Sequence, residues 1–199
     1  FARNNSNISI YGHEKLARSL LINFDYYKTQ MKNNTQDPDL GTISLILPNK
    51  TVEIGKTKII DIGNRKIVLE AWRSGHTDND LSVYDNNSKI LWTENIFIKR
   101  IPSIRASVIG WKKNLEETLS MDVSKIIPGH GKIMDKKKAI GPMLEYFNSL
   151  INEVRFFHKN GYSLEETLQN SKIKNKNWLL FDDYHQSNII KVYSELEWE

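Results

Sequence analysis

The sequence predicts an α+β protein, an antiparallel-rich sheet with helices packed against it, on three observations. Runs of alternating apolar residues come in neighbouring pairs joined by short turns, as antiparallel hairpins require. Stripes at helical spacing follow these pairs instead of alternating with them, which argues against a doubly wound parallel sheet. A late apolar run, Lys125 to Ile127, falls between two helical stripes and is short enough to return to the sheet as a strand.

In chain order, Ile8 to Tyr11 reads as a short strand ending at Gly12, and Leu16, Ala17, Leu20, Leu21 and Phe24 then recur at helical spacing. Turn-forming residues fill Lys32 to Asp39, and Ile43 to Leu47 is an extended piece stopped by Pro48. Lys58 to Ile62 and Lys66 to Ala71 form a hairpin across Gly63-Asn64, with Ile67, Leu69 and Ala71 on one face. Leu81 to Tyr84 and Lys89 to Trp92 form a second pair across Asp85-Asn86-Asn87-Ser88, residues that favour tight turns and positive φ. Val108, Trp111, Leu115 and Leu119 mark one helix, and Met143, Phe147, Leu150, Val154 and Phe157 another. Ser163-Leu164-Glu165-Glu166 has the form of a capping box, and Ile189, Val192, Tyr193 and Leu196 mark a last helix. There is no internal repeat and no low-complexity tract.

With 199 residues, 39% hydrophobic and 26% charged, a single domain is the default. No stretch approaches the roughly 18 uninterrupted apolar residues of a membrane span, and Phe1 to Asn7 form no signal sequence. The opening Phe1-Ala2-Arg3, without Met, reads as a processed or truncated chain. The absence of cysteine removes disulfides, thiolate ligands and cysteine nucleophiles together, so any metal must be held by His, Asp, Glu or Asn. The net charge of +4 comes from scattered lysines, with clusters at Lys112-Lys113, Lys136-Lys137-Lys138 and Lys172 to Lys176. These read as solvated surface. Nucleic-acid binding would want basic residues interleaved with exposed aromatics on one face, and the clusters sit at element ends and loops instead, so no nucleic-acid partner is expected.

Two segments carry chemistry. Ser74-Gly75-His76-Thr77-Asp78-Asn79-Asp80 joins two predicted strands, and a histidine beside glycine at a strand end can face a metal. Ile126-Ile127-Pro128-Gly129-His130-Gly131 ends an apolar strand in Pro-Gly and delivers His130 between glycines with no side chains to crowd it. A lone histidine is more often a hydrogen-bonded surface residue than a ligand; it is the pair, in these contexts, that points to metal. Asp78 and Asp80 are either partners that orient an imidazole or loop backbone, or ordinary turn and strand-start residues. His13 at a helix start, His158 at a helix end and His185 beside Asp182 and Asp183 read as structural. No Gly-x-Gly-x-x-Gly loop is present and Ser74 has no nucleophile-elbow context, so nucleotide binding and serine hydrolysis have no support.

With these motifs the chain resembles the metallo-β-lactamase superfamily, in which Gly-His-Thr and Pro-Gly-His-Gly loops each supply one zinc ligand. His76 and His130 match those ligands. Tyr11-Gly12-His13-Glu14-Lys15-Leu16, Ala71-Trp72, Thr77-Asp78-Asn79-Asp80-Leu81, Arg100-Ile101-Pro102 and the ending Glu195-Leu196-Glu197-Trp198-Glu199 are similar, more narrowly, to the zinc metallohydrolases of quinoprotein relay systems. The resemblance implies the C-terminal part of an αββα sandwich over residues 1–199, one domain lacking its N-terminal segment. It implies one or two zinc ions in the intact family, metal-activated water attacking a small-molecule substrate, redox-system proteins as partners and a periplasmic location.

The chain departs from the family in two places. Where a Thr-Gly-Asp would supply a bridging aspartate, the chain reads Thr93-Glu94-Asn95, so Asn95 takes that position as a third, neutral ligand candidate. Glu94 would need a local shift to replace the carboxylate. The family's His-x-His-x-Asp-His cluster is absent, the five histidines never being spaced by two. The chain alone is therefore expected to bind zinc weakly and to be inactive, with a non-catalytic accessory or binding domain as the alternative.

Overall fold

The computed structural model describes residues 7–35 and 43–198. Strand β1 (Tyr11–His13) leads into helix α1 (Leu16–Thr35), then β2 (Lys50–Val52), β3 (Thr57–Asp61), β4 (Lys66–Ala71), β5 (Leu81–Asp85) and β6 (Ile90–Phe97). Helix α2 (Val108–Ser120), strands β7 (Lys125–His130) and β8 (Met134–Asp135), and helices α3 (Lys136–Lys159), α4 (Leu164–Asn170) and α5 (Phe181–Leu196) follow. Strands β3 to β8 form one sheet in chain order, antiparallel at every junction but β6–β7. β1 and β2 form a separate parallel pair.

Local chemistry accounts for most of these elements. Gly63 and Asn64 both adopt positive φ, +80° and +59°, which is the turn a two-residue hairpin needs to match strand twist. In the second hairpin the left-handed residue is Lys89, at φ +57°, and not one of the four polar turn residues before it. Ser107 caps α2 by accepting the Gly110 amide at 2.8 Å, and the Glu195 carboxylate accepts from Val108 N at 2.7 Å and from Ser107 Oγ at 2.5 Å. A negative charge at a helix N-terminus is favourable, so the end of α5 is tied to the start of α2. Ser163 and Glu166 make the reciprocal capping box of α4.

The main core lies between the sheet and α2, α3 and α5. Trp111, Phe147, Leu91, Ile96, Ile140, Met143 and Leu150 are fully buried there, and the helical stripes read from the sequence supply most of it. A smaller cluster, Val52, Leu69 and Ala71, packs near β1 and β2. Helix α1 contributes no buried residue and exposes Leu21, Ile22, Tyr26 and Met31. Among the described residues no helix is long and apolar enough to cross a membrane.

Several local expectations shift, among them the strand expected over Lys89 to Trp92, which runs on to Phe97. The first strand runs 11–13 instead of 8–11, and Ile43 to Leu47 is extended but joins no ladder. The late strand continues past Ile127 to His130, because its pairing with β6 resumes at Phe97 opposite His130. β8 has only two residues and no periodicity to read. Of the turn expected over 32–39, residues 32–35 instead continue α1, and 36–39 lie outside the described residues, as does the opening Phe1-Ala2-Arg3.

Phe147 is fully buried, with its ring 5.1 Å from that of Trp111. Truncating it should leave a cavity at the centre of the core. Phe147→Ala is predicted to lower unfolding stability by about 3–5 kcal/mol in denaturant titration, and a loss under about 1 kcal/mol would contradict this packing.

Candidate functional site

The segment carrying His76 leaves β4 at Trp72 and is closed by Asp80. Trp72 N donates to Asp80 O at 3.0 Å, and the Asp80 carboxylate accepts from Thr77 N at 3.0 Å and Thr77 Oγ1 at 2.5 Å. Asp80 thus orients the loop backbone, whereas Asp78 is exposed and accepts only from Asn79 Nδ2. Gly75 lies against α2, where a Cβ would come within 2.9 Å of Asn114 Nδ2 and 3.2 Å of Trp111 Cα. This close seat brings the His76 ring 5.1 Å from Phe97 and 5.0 Å from Trp111. Its Nδ1 is buried without a hydrogen-bond partner. Burial first, then the charges of Arg105, His130 and Arg100, push its pKa down to about 4, so the ring is neutral at neutral pH.

His130 stands at the end of β7 with its ring 4.8 Å from the same Phe97 ring. The two sequence-predicted histidines therefore flank one aromatic side chain. Arg100 Nη1 lies 3.2 Å from His130 Nδ1 and 3.0 Å from Nε2. Only an unprotonated imidazole nitrogen can accept from a guanidinium, and burial together with Arg100 lowers the His130 pKa accordingly. The guanidinium carbon is also 5.8 Å from the Phe97 ring centre and 5.7 Å from that of Tyr184.

Asn95 sits in an irregular part of β6. Thr93 pairs with Pro128 and Phe97 with His130, so β6 advances four residues while β7 advances two. The excess backbone fills the space over Gly129, where a Cβ would meet the Glu94 carbonyl oxygen at 2.2 Å. Within this bulge the Asn95 side chain is buried and accepts from Thr93 Oγ1 at 2.6 Å, and its backbone carbonyl accepts from Trp111 Nε1 at 2.8 Å. Among the described residues, no hydrogen bond joins its amide to either histidine.

Glu94 turns to Asp80. More than a third of the Glu94 residue is exposed, yet its carboxyl shares a hydrogen bond with the buried Asp80 carboxyl. Burial, then the Asp80 charge, raises Glu94 to about 7; burial raises Asp80 to about 6 against the opposing Thr77 hydrogen bonds. The pair holds a proton into the neutral range.

These residues do not fit a zinc centre. Among the described residues no three His, Asp or Glu side chains are placed to share one metal ion. The amide oxygen is engaged by Thr93, the Glu94 carboxyl by Asp80, and a guanidinium lies within 3.2 Å of both nitrogens of His130. Of the other histidines, His13 bridges Trp72 O at 3.1 Å and Lys15 N at 3.0 Å, His158 packs on Tyr193, and His185 lies between Phe181 and Tyr146. Reading the sequence for ligands missed Phe97 and Arg100. The available signal was the Glu94-Asn95 break in the apolar pattern of β6, which marks the bulge that places both.

The fold is that of the metallo-β-lactamase-type proteins. The stereoselective inverting sec-alkylsulfatase Pisa1 from Pseudomonas sp. superposes with a TM-score of 0.58 at 17% identity, over 76% of this chain and 27% of that enzyme. The DIM-1 metallo-β-lactamase superposes at 0.51 and 21% identity, over 73% and 60%. The metallo-β-lactamase from Pontibacter korlensis superposes at 0.51 and 15%, over 74% and 61%. The chain thus spans about a quarter of the alkylsulfatase and about three fifths of the β-lactamases. No protein-family model matches the sequence, and no curated protein does.

The Asp80–Glu94 pair makes a signed prediction. Acids whose pKa is raised on folding stabilise the native state below their unfolded values, and this contribution is lost as pH rises through their folded values. Removing one charge relieves that loss. Glu94→Gln should therefore gain stability relative to the unmodified chain as pH rises from about 4.5 to about 7 and then level off. Denaturation midpoints of both proteins at pH 5 and pH 8 test it: a difference that stays constant, or shrinks with pH, contradicts the shared proton.

Proposed function

We propose that this chain is a metallo-β-lactamase-fold domain that does not assemble a catalytic metal centre from its own residues and works as a non-catalytic binding or accessory domain. The observation that carries this reading is Arg100 against His130. A guanidinium lies within 3.2 Å of both nitrogens of this ring, and it is permanently charged. Two unit charges about 4 Å apart near a protein surface repel by about 4 kcal/mol, and a divalent ion doubles that. Zinc at His130 would meet this charge, with two neutral imidazoles and an amide oxygen already held by Thr93 as its ligands.

The second reading is a zinc-dependent hydrolase of the quinoprotein relay type, its centre completed by ligands from a preceding segment. Its support is the convergence of His76 and His130 on the Phe97 ring. The uncovered apolar side chains of α1 suit such a segment, and this chain would then be the C-terminal part of the sandwich. In that reading the substrate is a small molecule, the partners are redox-system proteins and the location is the periplasm, each by family resemblance alone.

Calorimetric zinc titration of the chelator-treated chain separates the two. The unmodified chain is expected to bind weakly. Asn95→Asp combined with Arg100→Gln restores a carboxylate and removes the competing cation, and should tighten binding by about tenfold or more. Tight stoichiometric binding by the unmodified chain, lost in His76→Ala, would contradict the proposal.

A further inference from the structure

Phe97 has a second neighbourhood. Together with Ile98, Met134, Ala139, Tyr146 and Trp178 it lines a cavity of about 620 Å³ between the end of β6, helix α3 and the segment that precedes α5. That volume is in the range of small-molecule sites. The hydroxyl of Tyr146 is committed to Asn188 and His185, so what this residue offers the cavity is ring surface. Pro142, also in the lining, has no N–H, so the Lys138 carbonyl one turn earlier lacks its helical donor.

The mouth is cationic. Lys99, Lys138, Lys172, Lys174 and Lys176 all border it, brought together from three places in the chain. The one acidic residue in the lining is Glu145, and Lys176 neutralises it at 2.7 Å. No ion pair engages the other four lysines among the described residues. Like charges gathered around an apolar cavity repel one another, and an anion at the mouth relieves that repulsion.

The wall is preformed. Its start is fixed by Glu153, which accepts from Ser171 Oγ and Lys172 N at 2.7 Å each. Its end is fixed by Leu179 N donating to Lys99 O at 2.7 Å and Ile101 N to Leu179 O at 3.1 Å. Between them Asn175 and Trp178 exchange hydrogen bonds of 2.6 and 3.1 Å. A wall pinned in this way costs little ordering when a ligand enters.

We infer that this cavity binds an amphipathic organic anion, with an aliphatic body against Ile98, Met134, Ala139 and Trp178 and an anionic head at the lysine mouth. Lysine ammoniums are point charges without the planar fork that selects phosphate geometry, so a single carboxylate suffices as the head. The inference gives the binding-domain reading a ligand class, and rests on that reading in that the ligand is held and not converted.

Dodecanoate, below its micelle concentration, is the probe, titrated calorimetrically into the full chain beside dodecyltrimethylammonium. Saturable micromolar binding of the carboxylate alone is expected. Lys138→Glu combined with Lys174→Glu should weaken it by about tenfold or more. Ser149→Trp, which fills the cavity from the exposed side of α3, should abolish it with the circular dichroism spectrum unchanged. Lys58→Glu, away from the cavity, should leave it unaltered. No saturable dodecanoate binding, equal binding of the cationic amphiphile, or indifference to the double charge reversal would each overturn the inference. Repeating the titration with zinc present keeps the two readings apart: tight zinc binding with unchanged dodecanoate binding would overturn the proposed function and uphold the cavity.

Discussion

The arrangement of the site depends on the bulge in β6 between Thr93 and Phe97. Parallel pairing with β7 has to accommodate two more residues on one strand than on the other, and it does so only because Gly129 leaves room for the Glu94 backbone. The bulge turns the Asn95 amide back onto Thr93, directs the Glu94 carboxyl to Asp80 and brings Phe97 level with His130. A regular ladder would have sent alternate side chains to opposite faces without these contacts. Phe97, anchored at that point, then organises both neighbourhoods: His76 and His130 against its ring, and the cavity lined in part by its side chain.

Electrostatics around the histidines and around the cavity follow the same logic. The pKa of both imidazoles is lowered by burial first, then by the charges of Arg105 and Arg100 at His76 and of Arg100 at His130. The negative charge that would balance them is withdrawn into the Asp80–Glu94 pair, which partly neutralises itself by keeping a proton. At the cavity mouth Lys176 is paired with Glu145, and no ion pair engages the other four lysines among the described residues.

Much of the fold was legible because its signals are local. The Gly63-Asn64 hairpin, the Ser163 capping box and the stripes of α2 and α3 rest on turn chemistry and periodicity, and those act over a few residues. The histidine pair was legible as a pair from the glycines that flank each member. What could not be read was long-range. The two-residue strand β8, the extension of β7 to His130 and the position of Arg100 all depend on register between β6 and distant chain, and register is not written in either strand alone. The lysine clusters at 136–138 and 172–176 read as solvated surface because their meeting at one cavity is a property of packing between α3 and the segment before α5. Asn95 was placed by motif alignment at a ligand position, and its commitment to Thr93 is a consequence of the bulge that the alignment cannot carry.

Whether His130, with Arg100 against its ring nitrogens, is open to a metal can be measured. Long-range proton–nitrogen correlation spectra of the imidazoles of His76 and His130, recorded before and after one equivalent of zinc, address this directly, because metal coordination shifts a ring nitrogen and fixes the tautomer. Both rings are expected to remain neutral, with nitrogen shifts unchanged by zinc. Movement of a nitrogen in both rings to a metal-bound position at one equivalent would overturn the proposal that the domain lacks a metal centre.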